Sequence, residues 1–238
     1  MKHQHHIVSG GDKMKKLMVY SIFLSISGEV GLFKQGSFTT FIRLAGCNIH
    51  CGYCDTPNTL RMDSGTSQSI ESIIEAVEAI GCKQVLITGG EPLMQRTALN
   101  DLVYNLQVKG YNIQIETNGS FVPQLETTDP ICWVIDYKLR GSLMEHRMPP
   151  IDKFVRQVPY NSWVKFVCCD EDDFNQALEV IKLIKTVLPY GSIQFAMSPA
   201  GFPGKELYKW MRDKRLYDIV LNTQIHKFIF PEGEEEIK

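Results

Sequence analysis

The sequence predicts an α/β protein: a parallel sheet covered by helices. Three observations lead there. Short apolar runs alternate with stretches of helical periodicity. The connections between them are brief. The unusual residues gather where the apolar runs end, at the rim where right-handed strand–helix units collect their chemistry.

Taken in order, residues 17–26 and 37–44 read as strands, and the second stops just before Gly46 and Cys47. Apolar residues at 70, 73, 74, 77 and 80 share one helical face over 70–80. Ser67 or Ser69 can cap that helix, Glu71 suits its positive end and Gly81 stops it. Residues 84–88 form a short buried strand that runs into Gly89, Gly90, Glu91 and Pro92. Leu99, Leu102, Val103 and Leu106 define a helix over 97–109, with Gly110 after it. Strands follow at 112–116, 131–136, 163–169 and 193–197. Three of them end at Thr117-Asn118-Gly119, Asp136-Tyr137-Lys138 and Ser198-Pro199. Helices are expected over 172–188 and 204–214, and 219–226 returns as strand or loop. Residues 140–160 carry prolines and little periodicity, so they read as a long loop over the active rim. The polar, histidine-rich residues 1–16 read as a disordered leader or tag, and 17–238 as one domain.

Lys plus Arg number 25 and Asp plus Glu 27, a net charge of −2. Without an excess of positive charge or basic–aromatic clusters, nucleic acid is not an expected partner. No apolar run approaches the roughly 18 residues of a membrane span. The run 17–26 follows Lys13, Lys15 and Lys16, as in a signal peptide, but Ser21 and Ser25 interrupt it and no cleavage site follows. The expected compartment is the cytoplasm.

A chain of 238 residues buries enough surface to need no staples, so its 7 cysteines need another explanation. Cys82, Cys132, Cys168 and Cys169 lie in apolar contexts and read as buried thiols. Cys47, Cys51 and Cys54 fall within eight positions, which points to metal or redox work in a reducing cytosol. Three thiolates on one tight loop suit three corners of a [4Fe–4S] cluster and leave one iron open to a small chelating molecule. Structural zinc would need a fourth ligand. His50 is the candidate inside the loop, although neighbours in so short a loop tend to point apart.

The cysteine spacing, with Tyr53 directly before the last cysteine, resembles the signature of radical S-adenosylmethionine enzymes. Thr88-Gly89-Gly90-Glu91-Pro92 resembles the glycine-rich strand end of that superfamily. Closer still, Ser25-Ile26-Ser27-Gly28-Glu29, Phe41 through Cys47, Cys54-Asp55-Thr56 and Gln224-Ile225-His226-Lys227 resemble the 7-carboxy-7-deazaguanine synthase family. Ser27 stands where that family commonly has glutamine and Val30 where it has glycine, and residues 231–238 extend past its usual terminus.

The resemblance implies a partial (β/α)6-type barrel, with parallel strands and outer helices. It implies a lyase that contracts 6-carboxy-5,6,7,8-tetrahydropterin to 7-carboxy-7-deazaguanine with loss of ammonia, on the route to queuosine and other deazapurines. Its cofactors would be the cluster, S-adenosylmethionine and Mg²⁺. Its partners would be the pterin, an electron donor such as flavodoxin or ferredoxin, and a second copy of the chain. Cys47, Cys51 and Cys54 would hold the cluster. Tyr53, Gly90, Glu91, Asn118, Asp136, Tyr137, Lys138, Phe195, Ala196, Met197 and Ser198 would surround S-adenosylmethionine. Arg43 would pair with the substrate carboxylate, for which a planar two-pronged donor is suited. Ile26, Ser27, Gly28, Glu29, Thr88 and His226 would contact the rest of the substrate, Glu29 reading its amino-pyrimidinone edge. Thr56 would offer its hydroxyl to Mg²⁺.

Two rival readings remain at this stage. A glycyl-radical activating enzyme shares the cysteine spacing but acts on a protein, which leaves Gly28-Glu29 and Asp55-Thr56 unexplained. The other is a non-catalytic zinc or nucleic-acid module, and the net charge of −2 and the lack of basic–aromatic clusters weigh against nucleic acid.

Overall fold

The computed structural model describes residues 15–127, 129–189 and 191–230. Residues 1–14 of the expected leader and the tail from residue 231 lie outside the described residues; the leader's expected end at residue 16 is corrected, because Lys16 opens the first strand and Lys15 pairs with Asp101. The elements are β1 (Lys16–Ile26), β2 (Phe38–Leu44), β3 (Thr66–Ser69), α1 (Ile70–Ile80), β4 (Gln84–Gly89), α2 (Arg96–Val108), β5 (Asn112–Thr117), β6 (Cys132–Asp136), α3 (Ile151–Gln157), β7 (Ser162–Cys168), α4 (Glu171–Val187), β8 (Ile193–Pro199), α5 (Gly204–Asp213), β9 (Ile219–Leu221) and α6 (His226–Ile229).

All nine strands form one unclosed sheet in the order β3-β1-β2-β4-β5-β6-β7-β8-β9. From β2 to β9 every pairing is parallel, so these strands present their C-terminal ends to one rim. The arrangement is the expected partial barrel, with one correction to the all-parallel picture. β1 runs antiparallel to both β2 and β3. The link from β1 to β2, residues 27–37, is shorter than the dozen or more residues a parallel crossover needs, which accounts for the first of these pairings.

The helices form where the residue pattern requires them. In α1 Ile70, Ile73, Ile74 and Val77 are buried, each contributing about 1.5–3 kcal/mol by leaving water. Ser69 caps its start by accepting from the Ser72 N–H at 3.2 Å, and Gly81 ends it at φ 80°. Asp170 caps α4 by accepting from Asp173 N–H at 2.8 Å. The core is continuous from β1 and α1 to α4 and β8.

Two local expectations are corrected and one strand is added to those the sequence predicts. Residues 140–160 are not all loop, since α3 buries Phe154 and Val155; its seven residues are too few to show periodicity. β3 pairs with β1 through the polar sequence TSQS, at an edge where no apolar pattern is needed. Residues 219–226 divide into β9, a loop and the start of α6. Of the four thiols expected to be buried, Cys132 and Cys168 are, while Cys82 and Cys169 are half-buried. Among the described residues no helix is long and apolar enough to cross a membrane.

Candidate active site

A cavity of about 620 Å³ opens at the C-terminal rim of the parallel strands. Cys47, Cys51 and Cys54 all lie on its wall. Their loop is fastened by its backbone: Gly46 N–H donates to Thr59 O at 2.7 Å, Cys47 N–H to Leu60 O at 3.0 Å and Gly52 N–H to Ser142 O at 3.1 Å.

The glycine-rich end of β4 grips the same loop. Gly90 N–H donates to Leu44 O at 2.9 Å and Glu91 N–H to Gly46 O at 2.8 Å. A Cβ at Gly89, whose φ is +124°, would fall 2.1 Å from Leu44 O, and one at Gly90 would fall 2.0 Å from Gly46 O. These glycines let two backbones touch, which fixes the cysteine loop to the sheet.

Glu91 is wholly buried and does not line the cavity. Its carboxylate accepts from Leu93 N–H at 2.9 Å, Thr117 Oγ1 at 2.8 Å and Asn118 N–H at 2.7 Å. Burial pushes its pKa up against these donors. It therefore acts on the site through Asn118, whose Nδ2 lies 3.7 Å from Cys47 Sγ and 2.9 Å from Asn48 Oδ1. Burial also raises the Cys47 and Cys51 thiols, with Lys138 opposing it at Cys51.

Opposite the cysteines runs a chain of buried charge. Lys138 Nζ lies 2.8 Å from Asp136 Oδ2, Lys165 Nζ lies 3.2 Å from Asp136 Oδ1, and Lys165 also pairs with Glu29 Oε2. Burial alone would raise the Asp136 pKa, but Lys138 and Lys165 outweigh it and hold the carboxyl below its usual range. Glu116, on the same wall, keeps a pKa raised to about 7, mainly by burial. Thr88 Oγ1 donates to Glu116 Oε2 at 3.2 Å.

The C-terminal segment closes this side. Gln224 Nε2 donates to Glu29 Oε1 at 2.6 Å and to Asp55 Oδ2 at 2.8 Å. Asn222 Nδ2 donates to Ser198 Oγ at 2.8 Å and approaches Glu29 Oε2 at 3.4 Å. The His226 ring packs on Gly28 so closely that a Cβ there would sit 2.0 Å from Nδ1. Arg43 stands with its Cζ 5.4 Å from the Phe23 ring centroid, and its buried Nε has no hydrogen-bond partner among the described residues. Thr56 Oγ1 reaches Gly89 O at 3.4 Å.

The cavity thus brings together Ile26, Gly28, Glu29, Arg43, the three cysteines, Tyr53, Thr56, Thr88, Gly90, Asn118, Asp136, Lys138, Ser198 and His226. It does not bring Ser27, Glu91, Tyr137, Phe195, Ala196 or Met197 to its wall. Phe195, Ala196 and Met197 sit in mid-strand below the rim, so only the strand end at Ser198 reaches it. Tyr137 alternates away from Asp136 and Lys138 and packs edge-on against Phe154, 4.9 Å between centroids. Ser27 is buried beside Ser37, to whose carbonyl its N–H donates at 2.8 Å.

Sequence reasoning gives no role to Glu116, Lys165 or Asn222, and carries Asp55 and Gln224 only as members of motifs. Glu116 is one of several polar residues in the alternating β5, but Lys165 carries a signal in hindsight, as a charge inside the mostly apolar β7. A buried charge of that kind must be paired.

The donor set fits an iron–sulfur cubane. Among the described residues no three His, Cys, Asp or Glu side chains converge as one metal ion would need. A cubane takes its thiolates at separate corners and does not require that convergence.

The radical SAM superfamily pattern matches residues 41–129. The 7-carboxy-7-deazaguanine synthase of Leptospira interrogans serogroup Icterohaemorrhagiae serovar Lai (strain 56601) is 32% identical over 238 residues, spanning 90% of this chain and 96% of that protein. The synthase of the same name from Clostridium acetobutylicum is 35% identical over 217 residues, 87% and 93% of the two chains. That from Methanospirillum hungatei JF-1 is 31% identical over 228 residues, 95% and 89%. The crystal structure of QueE from Escherichia coli superposes with a TM-score of 0.67 at 22% identity, covering 88% of this chain and 94% of that one. This last likeness speaks for the fold. With its cysteine loop, glycine-rich strand end and full-length relatives, the chain belongs to the 7-carboxy-7-deazaguanine synthase family of radical S-adenosylmethionine enzymes.

Proposed function

We propose that the protein is a ring-contracting lyase, converting 6-carboxy-5,6,7,8-tetrahydropterin to 7-carboxy-7-deazaguanine with loss of ammonia for deazapurine biosynthesis. One observation carries this reading: three cysteine thiols, Arg43, whose buried Nε has no hydrogen-bond partner among the described residues, and the carboxylate of Glu29 share the wall of one cavity. Cys47, Cys51 and Cys54 hold a [4Fe–4S] cluster, which when bound supplies the electron that cleaves S-adenosylmethionine and starts the radical chemistry.

The chain's own residues bind and orient. Tyr53, Asn118, Asp136, Lys138 and Ser198 form the S-adenosylmethionine side, and Gly90 and Glu91 hold that side together from behind. Arg43 takes the substrate carboxylate by a two-pronged, charge-assisted contact. Glu29 accepts from the amino-pyrimidinone edge, with the backbone of residues 26–28, Thr88 and His226 around it. Thr56, with Asp55 beside it, offers oxygen to Mg²⁺. Glu116, whose pKa burial raises to about 7, is a cavity carboxyl suited to exchanging a proton near neutral pH. The protein works as a homodimer in the reducing cytoplasm, with flavodoxin or ferredoxin as electron donor, and its residues from 17 onward form one domain.

The test is reconstitution without oxygen, followed by reductant, S-adenosylmethionine, Mg²⁺ and carboxytetrahydropterin. The expected result is about four irons per chain and accumulation of the deazaguanine acid. A protein that holds the cluster and cleaves S-adenosylmethionine yet forms no deazaguanine overturns the assignment.

A further inference from the structure

Lys165 is the hub of the buried charges. It stands in β7 directly opposite Asp136 of β6, and its carbonyl accepts from Tyr137 N–H at 2.9 Å, so its backbone is fixed. Its side chain is 8% exposed. The ammonium pairs with Glu29 from the loop after β1 and with Asp136 at 3.2 Å. It is also close enough to lower the pKa of Glu116. Four carboxyl groups on the cavity wall, Glu29, Asp55, Glu116 and Asp136, interact with the Lys165 ammonium. Lys138 pairs with Asp136 and Lys227 acts on Asp55, while among the described residues Lys165 is the cation that joins Glu29 directly to Asp136.

We propose that Lys165 is a positioning residue: it ties the carboxylate that reads the substrate, Glu29, to the carboxylate on the cofactor side, Asp136, and so holds substrate and S-adenosylmethionine in one register. The proposal rests on the assignment of the cavity to pterin and S-adenosylmethionine made above. Glu29 sits on a loop, whereas Asp136 and Lys165 sit on paired strands. One shared ammonium transfers the rigidity of the sheet to the loop carboxylate, and a radical reaction depends on such placement more than on acid–base help. In the rest of the Glu29 shell, Gln224 comes from the loop after β9, and Asn222, although held to β8 through Met197 O and Ser198 Oγ, approaches Glu29 only at 3.4 Å, so the charged tie to the sheet is Lys165.

The test compares wild type, K165M and K165R as reconstituted holoenzymes. Three quantities are measured: iron per chain, the KM for carboxytetrahydropterin against kcat, and free 5′-deoxyadenosine released per deazaguanine formed. K165M is expected to keep its iron, to raise the pterin KM about ten- to hundredfold, and to release 5′-deoxyadenosine in excess of product. K165R is expected to recover part of both effects. A merely structural role would lower iron and kcat together and leave the release ratio alone. Should K165M not accumulate, the charge-balanced D136N/K165M variant is measured, with the same KM rise and excess release expected. A cluster-bearing variant lacking Lys165 whose pterin KM and release ratio match wild type overturns the proposal while the enzyme assignment stands. A wild type that forms no deazaguanine overturns the assignment, and the proposal with it.

Discussion

Replacing Gly90 with alanine tests the claim that the glycine-rich motif is a clamp on the cysteine loop. A Cβ there would lie 2.0 Å from Gly46 O, 2.5 Å from Gly46 C and 3.1 Å from Cys47 N. All three are backbone atoms, so no side chain can swing aside. Ordinary contact begins at 3.4 Å, so strand end and loop must part by about 1.4 Å. The hydrogen bonds from Gly90 N–H and Glu91 N–H, now 2.9 and 2.8 Å, would then be broken or badly stretched. Each is worth about 1 kcal/mol and the overpacking costs about 1–3 kcal/mol, together about 3–5 kcal/mol. At 2–4 °C per kcal/mol for a chain of this size, Tm should fall by roughly 6–20 °C. A misplacement of about 1 Å at reacting groups costs on the order of a hundredfold in rate. The assay is iron retention and S-adenosylmethionine cleavage at a temperature where the variant is folded. Gly81→Ala is the control: its φ is +80° but nothing lies within 4 Å, so it should lose about 1 kcal/mol and keep its activity. A G90A protein with full iron and wild-type cleavage would refute the clamp.

Arg43→Met should raise the pterin KM by about ten- to hundredfold with little change in iron content; an unchanged KM would remove Arg43 from the substrate carboxylate. Glu116→Gln should flatten the dependence of stability on pH. In the wild type the folded Glu116 pKa is about 7, against 4.5 for the free side chain. Below 4.5 both states hold the proton. Between 4.5 and 7 the unfolded chain releases it first, so stability falls as pH rises through that window and levels off above it. Urea midpoints measured from pH 4.5 to 7.5 should therefore drop less in E116Q, and equal drops would contradict the raised pKa. Thr56→Ala should weaken the response of turnover to Mg²⁺, and an unaltered Mg²⁺ titration would take Thr56 out of the metal shell.

The fold was legible wherever periodicity had room to repeat. The helix over 70–80 matches α1 at both ends because its apolar face, Ser69 cap and Gly81 stop agree. α3 was hidden because seven residues between prolines show no face. β3 was hidden because a polar edge strand is specified by its partner, β1. At the site, the cysteines, Asn118, Asp136 and Lys138 were legible as unusual residues at strand ends, whereas Arg43 and Glu29 were legible only through the family resemblance. Glu91 was legible as a site residue but not in its role: the sequence cannot show that its carboxylate turns inward to three donors. Lys165 was missed because one lysine in an apolar strand gains meaning only once Glu29, 136 positions away in sequence, is seen beside it.

The contacts that Gln224 and Asn222 make to Glu29 span 195 and 193 positions. Closing so long a loop comes late in folding, after the local strand–helix units have formed. During translation the first strands leave the ribosome carrying an acidic side chain whose counterparts have yet to be made. The reaction chamber is thus among the last parts of the nascent protein to be completed, and a release of synthesis before Asn222 would yield a sheet without a finished pocket.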